Sequence, residues 1–181
     1  MRSHKELEEA MVSLGATKAE VIPVSGIVLD KVFREICEGN GCGNFGGCWI
    51  CPPYIGEIED CMERVRSYSF GLLYQYVGEI EDSFDFEGMG EVGHQHSMLN
   101  QRIREVLPEL LGEIPYLQLG SGHCGLCERC AKRDDLPCRF PDKAIPSLEG
   151  YGINVSATCR DTELKYVNGV NTVTFFGIIL F

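Results

Sequence analysis

The sequence predicts one α/β or α+β domain over residues 1–181: a mixed sheet with one antiparallel end, helices packed on it, and two cysteine-rich loops. Three observations predict it. Segments with helical apolar spacing alternate with short apolar, β-branched or aromatic runs along most of the 181 residues, and no composition shift marks a second domain. Hydrophobic residues make up 44% of the chain and charged ones 24%, a globular composition long enough to bury a proper core. Ten cysteines fall mainly in two knots, 37–61 and 124–138, with Cys159 alone.

Leu7, Ala10, Met11 and Leu14 repeat at helical spacing, and Gly15 follows as a stop. Residues 19–24 and 26–29 read as extended, with Pro23 placing the first at an edge or bend. Asp30 caps a short helix through Val32, Phe33 and Ile36 that delivers Cys37. Residues 38–56, rich in Gly and Pro, are a loop. Ile58, Met62 and Val65 put a stripe on a helix over 57–67, and the aromatic, apolar run 70–77 is a central strand. The acidic stretch 79–93 reads as a surface loop. A longer helix follows over 95–111, with Pro108 expected to kink or divide it. A short strand over 114–119 leads into the second knot. Residues 153–157 and 173–180 read as the last strands, with Asn168-Gly169 a hairpin-turn signal before the second.

Sixteen Lys+Arg against 27 Asp+Glu give a net charge of −11, which argues against nucleic-acid or anionic-membrane partners, since both need clustered positive charge. The first nine residues are charged and lack the apolar region of a signal peptide, and no apolar run reaches the length of a membrane span. A cytoplasmic location is therefore expected. In that reducing compartment, dense cysteine points to metal ligation rather than to disulfides.

Cys124, Cys127, Cys130 and Cys138 stand in the pattern C-x2-C-x2-C-x7-C. Two-residue spacers let three successive sulfurs converge, as a cubane 4Fe-4S cluster requires, with a fourth thiol from farther along the chain. Tetrahedral zinc is the alternative, and a clip that merely fastens loops is the bland reading of either metal. Arg129, Lys132, Arg133 and Arg139 lie nearby and would offset thiolate charge. Cys37, Cys42, Cys48 and Cys51 form a second candidate set among glycines that permit close backbone approach, followed by Pro52-Pro53. Cys61 and Cys159 read as packing thiols. His94 and His96 read as solvated, and His123, beside Cys124, as a residue supporting the ligands. No Walker or Rossmann fingerprint is present, and no Ser/His/Asp or paired-carboxylate pattern rises above background.

The motifs Cys51-Pro52-Pro53-Tyr54, Cys124 to Cys130, Pro137-Cys138-Arg139-Phe140-Pro141, Pro146-Ser147-Leu148-Glu149 and Gly152-Ile153-Asn154-Val155 resemble, in that order, the predicted metal-binding proteins of domain of unknown function 2284, common in anaerobic prokaryotes. The likeness spans almost the whole chain and implies a small cytoplasmic metal-binding protein with no established reaction. By that likeness Cys37, Cys42 and Cys51 match the N-terminal cysteines, whereas Cys48 stands where the family usually has another residue. Cys61 and Cys159 also lie outside its pattern, and Ile145 to Gly150 depart from the family's Arg-Pro-Ser-Met-Glu-Ala. The functional expectation is an iron–sulfur protein with one or two clusters that passes electrons to a protein redox partner. A zinc-stabilised structural or interaction module is the alternative, and an enzyme with an incompletely ligated cluster a further one.

Overall fold

The structure, a computed structural model, describes residues 2–181. Helix α1 (His4–Ser13) begins with a capping box: Glu6 donates its backbone N–H to Ser3 Oγ, and Ser3 donates its own N–H to the Glu6 carboxylate at 2.8 Å. Leu7 and Met11 face inward from it, and Gly15, at φ +112°, turns the chain into edge strand β1 (Lys18–Pro23). A 3-10 turn over Val24–Gly26 takes the place of part of the extended run expected over 26–29, leaving Leu29 bridged to Ile153. Asp30 Oδ1 accepts the Val32 N–H at 3.0 Å as α2 (Val32–Glu38) starts and carries Cys37 in its last turn. Helix α3 (Ile58–Arg66) buries Met62 and Val65 and half-buries Ile58, the stripe that its spacing predicts, and buries Cys61 beside them.

Strands β2 (Phe70–Glu79), β3 (Leu117–Leu119) and β4 (Thr172–Leu180) complete a sheet of order β1-β2-β4-β3. Every neighbouring pair is antiparallel, so the fold is α+β and the sheet is not mixed. A parallel sheet needs crossover units, and the sole parallel pairing among the described residues is the isolated bridge Gly120↔Ser147. Alternation along the strands sends Leu73, Phe176, Ile178 and Leu180 to one face, under α3 and the cysteine loops. Leu72, Tyr74 and Ile179 go to the other face, with Leu7, Leu99, Ile103 and Leu107 from the helices that cover it.

The second covering helix, α4 (Phe86–Leu111), starts well before the expected position. Part of the acidic loop predicted over 79–93 is therefore helix. Asp85 caps it, accepting the Gly88 N–H at 2.8 Å. Its glycines hide the helical period in the sequence, and one of them serves the approach to the sheet: a Cβ on Gly93 would lie 3.1 Å from the Phe175 ring, while on the facing strand a Cβ on Gly78 would collide with Val92. Pro108 neither ends nor divides the helix. It sits in the last turn, where Gly112 N–H closes onto its carbonyl at 3.0 Å.

The expected strand over 153–157 is instead α5 (Val155–Thr158), capped by Asn154 Oδ1, which accepts the Ala157 N–H at 2.9 Å. The chain bends at Gly169 and turns at Val170-Asn171 rather than at Asn168-Gly169, and no strand directly precedes it among the described residues, so no hairpin forms. Among the described residues, no helix is long and apolar enough to cross a membrane.

Two tests probe the core. Gly177 pairs with Tyr74 across β4 and β2, and a Cβ there would meet Tyr74 Cε2 at 2.7 Å. Tyr74 cannot swing aside, because its hydroxyl donates to Asn100 Oδ1 at 2.7 Å. Gly177→Ala is expected to cost about 1–3 kcal/mol, read from urea unfolding.

His96 is not solvated as expected. It is buried, stacks on Phe175 at 5.6 Å between centroids, and its Nε2 has no hydrogen-bond partner. Burial pushes its pKa down from 6.5 to about 4. The folded state thus refuses a proton that the unfolded chain accepts, so stability is lost as pH falls from about 6.5 toward 4. At pH 5 the loss from this group amounts to about 2 kcal/mol, and His96→Phe should abolish that share of the acid sensitivity measured by thermal unfolding.

Candidate metal centre

Strand β3 delivers the chain to a long loop with a tied neck. Gly120 N–H donates to Pro146 O at 2.9 Å, and Leu148 N–H donates to Gly120 O at 2.8 Å. Ser121 Oγ donates to Phe176 O at 2.6 Å and fixes the neck to β4. Between these anchors lie Cys124, Cys127, Cys130 and Cys138, wrapped around the buried Ala131.

The first loop, between α2 and α3, turns through left-handed Asn40, Gly43 and Gly46, and Gly46 N–H donates to Pro52 O at 2.9 Å. It hooks into the second loop at two points. Trp49 Nε1 donates to Leu136 O at 2.8 Å, and Arg133 donates to Gly43 O at 2.8 Å while its guanidinium lies flat against Gly47. Lys132 Nζ sits 5.2 Å from the Trp49 ring centre and 4.8 Å from that of Tyr54. The four cations of the second knot therefore fasten loops: Arg129 pairs with Asp134, Lys132 with Asp135, and Arg139 donates to Arg129 O at 3.0 Å.

This hooking divides the thiols differently from their order in the sequence. Cys48, next to Trp49, is buried against the second knot and lines one closed pocket with Cys124, Cys127, Cys130 and Cys138. Cys37, Cys42 and Cys51 line a separate cavity of about 390 Å³ with Phe33, Ile36 and Phe45. The expected set of Cys37, Cys42, Cys48 and Cys51 is thus split between two pockets. Cys48 and Cys51 stay in contact across the division, in a turn closed by Cys51 N–H to Cys48 O at 3.1 Å.

The electrostatics follow that contact. The Cys51 thiol, hydrogen-bonded to Cys48, is the main reason the Cys48 pKa falls to about 5; burial opposes it, and the Ile50 amide, the Cys130 thiol and the Cys124 amide add to it. The same bond, then burial and neighbouring thiolates, pushes Cys51 up. Burial raises Cys124 to about 11 and also raises Cys37, where the Glu149 carboxylate adds to the effect. Metal ligation needs these sulfurs deprotonated, and a bound cation would offset the cost of holding them as anions.

Cys61 and Cys159 lie in the core cluster over the sheet, as their surroundings in the sequence suggest. His94 is exposed, and His123 lines the three-thiol cavity rather than the closed pocket. Sequence reasoning did not assign Glu149 and Ser147, which line the same cavity; their signal was the Pro146-Ser147-Leu148-Glu149 motif after the second knot. Among the described residues, no group of three or more His, Cys, Asp or Glu side chains forms a site for a single metal ion. The thiols line two neighbouring pockets, and soft sulfur donors of this kind suit zinc as well as an iron–sulfur cluster.

The chain matches no curated protein and no solved structure. A family model described as predicted metal-binding protein (DUF2284) matches residues 20–181, and by a match of that length the chain, whose cysteines line two neighbouring pockets, belongs to that family of predicted metal-binding proteins.

Proposed function

We propose that this is an iron–sulfur protein with two neighbouring centres, which passes single electrons to or from a protein partner. The observation that carries the reading is the division of Cys48 and Cys51: three positions apart in the chain and in contact, they belong to different pockets. Cys124, Cys127, Cys130 and Cys138 would hold the closed centre, with Cys48 against it, and Cys37, Cys42 and Cys51 the open one. Iron–sulfur clusters supply reversible uptake of one electron at potentials set by their surroundings. The residues here do the rest. Ala131, Trp49 and Ile50 line the closed pocket beside the half-buried thiols, and the amides of Ile50 and Cys124 donate toward the Cys48 sulfur. A net charge of −11 suits docking onto a basic face of a redox partner.

Purification under strict anaerobiosis, followed by assays of iron, acid-labile sulfide and zinc and by visible absorption before and after dithionite, tests the reading. The expected protein is brown, carries iron and sulfide in equal amounts, and bleaches on reduction. Colourless protein with stoichiometric zinc overturns it in favour of a zinc-stabilised module.

A further inference from the structure

The three-thiol cavity has a chemistry of its own. At about 390 Å³ it is the size of a pocket for a small organic molecule. Phe33, Ile36, Phe45 and Pro52 make apolar walls, so whatever fills it has an apolar body. Its ionisable lining consists of the three thiols, His123 and Glu149, and no Lys or Arg lines it. An anionic ligand would therefore meet the Glu149 carboxylate with no Lys or Arg to offset its charge, whereas an ammonium group would be attracted by it.

Glu149 is also firmly placed. It follows the tied neck at Gly120 and Ser147, and the next residue, Gly150, donates its N–H to Ser147 Oγ at 3.0 Å. The Gly150 carbonyl is held by the buried Arg34 guanidinium at 2.8 Å, which faces away from the cavity toward Gly56 and Cys61. The site is thus preorganised, with its one carboxylate in a fixed wall. The larger surface hollow of about 590 Å³ beside Lys31, Glu59, Glu63 and Arg66 has no such feature: its charges are balanced and it holds no thiol.

We propose that this cavity binds a small organic amine, its apolar body between Phe33 and Phe45 and its ammonium group on the Glu149 carboxylate. The proposal rests on the two-centre reading in one respect, that the ligand's other side faces the sulfurs of the open centre.

Calorimetric titration of the anaerobically purified full chain with benzylamine, benzyl alcohol and benzoate, with iron and sulfide measured on the same sample, is the test. Benzylamine should bind saturably, one per chain. Benzyl alcohol should bind about tenfold more weakly or worse, and benzoate should not bind. Glu149→Gln should weaken benzylamine about tenfold or more and leave benzyl alcohol unchanged, and Glu149→Asp should restore part of the loss. Phe45→Ala should weaken amine and alcohol alike. Benzoate binding as tightly as benzylamine, an unaltered benzylamine affinity in Glu149→Gln, or no saturable binding to protein that carries its iron and sulfide would each overturn the amine site and leave the two-centre reading standing. Benzylamine binding to protein without iron would do the reverse.

Discussion

Replacing Cys127 with Ser should empty the closed centre and spare the open one. Cys127 lines the closed pocket only, and a thiolate-held metal is worth on the order of 10 kcal/mol to the segment that binds it. That segment has little else. Between Ser121 and Pro146 it buries Ala131 but leaves Leu136 and Phe140 exposed, so its order depends on the neck and on Trp49 and, on the two-centre reading, on the metal. Iron and sulfide per chain should fall by the closed centre's share, and backbone amides of the loop should lose hydrogen-exchange protection, while those of β2 and β4 keep theirs. Cys48→Ala provides the contrast: the set Cys124, Cys127, Cys130 and Cys138 proposed to hold the closed centre stays whole, so its metal should stay while the environment of the open centre changes through Cys51. Loss of both centres in Cys127→Ser would show that they form one site or cannot fold apart.

Arg34→Ala should cost about 3 kcal/mol and loosen the open centre with it. Arg34 is 5% exposed, unusually buried for its type, and its guanidinium donates to the buried Gly150 carbonyl at 2.8 and 3.3 Å and to Gly56 O at 2.9 Å. Charged hydrogen bonds of this kind contribute about 1.5–3 kcal/mol, and removal of the side chain also leaves the Gly150 carbonyl without its partner. The bonds join α2, which carries Cys37, to the turn Glu149–Tyr151, so the two sides of the cavity should separate. The urea midpoint reports the first effect. Iron lost from the three-thiol centre at urea concentrations that leave the sheet intact reports the second. Arg34→Lys should recover only part of either, because one ammonium cannot reproduce the fork across Gly56 and Gly150.

Much of the scaffold was legible before any coordinates. The run 70–77 is the core of β2, the stripe Ile58, Met62, Val65 faces inward from α3, and the last strand falls within a residue of its predicted bounds. These signals are local: period, burial and caps are written in neighbouring residues. The first part of α4 was illegible because it carries glycines at 88, 90 and 93, of which only Gly93 faces the sheet, and glycine erases the apolar period that announces a helix. The start of α5 reads as a strand because Ile153-Asn154-Val155-Ser156 alternates like one, and the Asn154 cap prevails over that alternation.

The site divides along the same line. All eight candidate thiols were visible as knots, and so was the reason to gather them. Their partition was not visible, because Cys48 is seated by Trp49 reaching a carbonyl 87 residues away, a contact with no local signature. Glu149 likewise becomes part of the cavity only once β3 and the neck bring it there.

The neck at Gly120 and Ser147 bears on how the protein is made. It is built from backbone bonds next to the sheet, none of which involves a sulfur. The sheet and its two cores can therefore close first and hold the loop at its base, open like a purse on a drawn string. On the two-centre reading, metal uptake then becomes a late step on a folded chassis, and the cysteines need not be found by an unfolded chain.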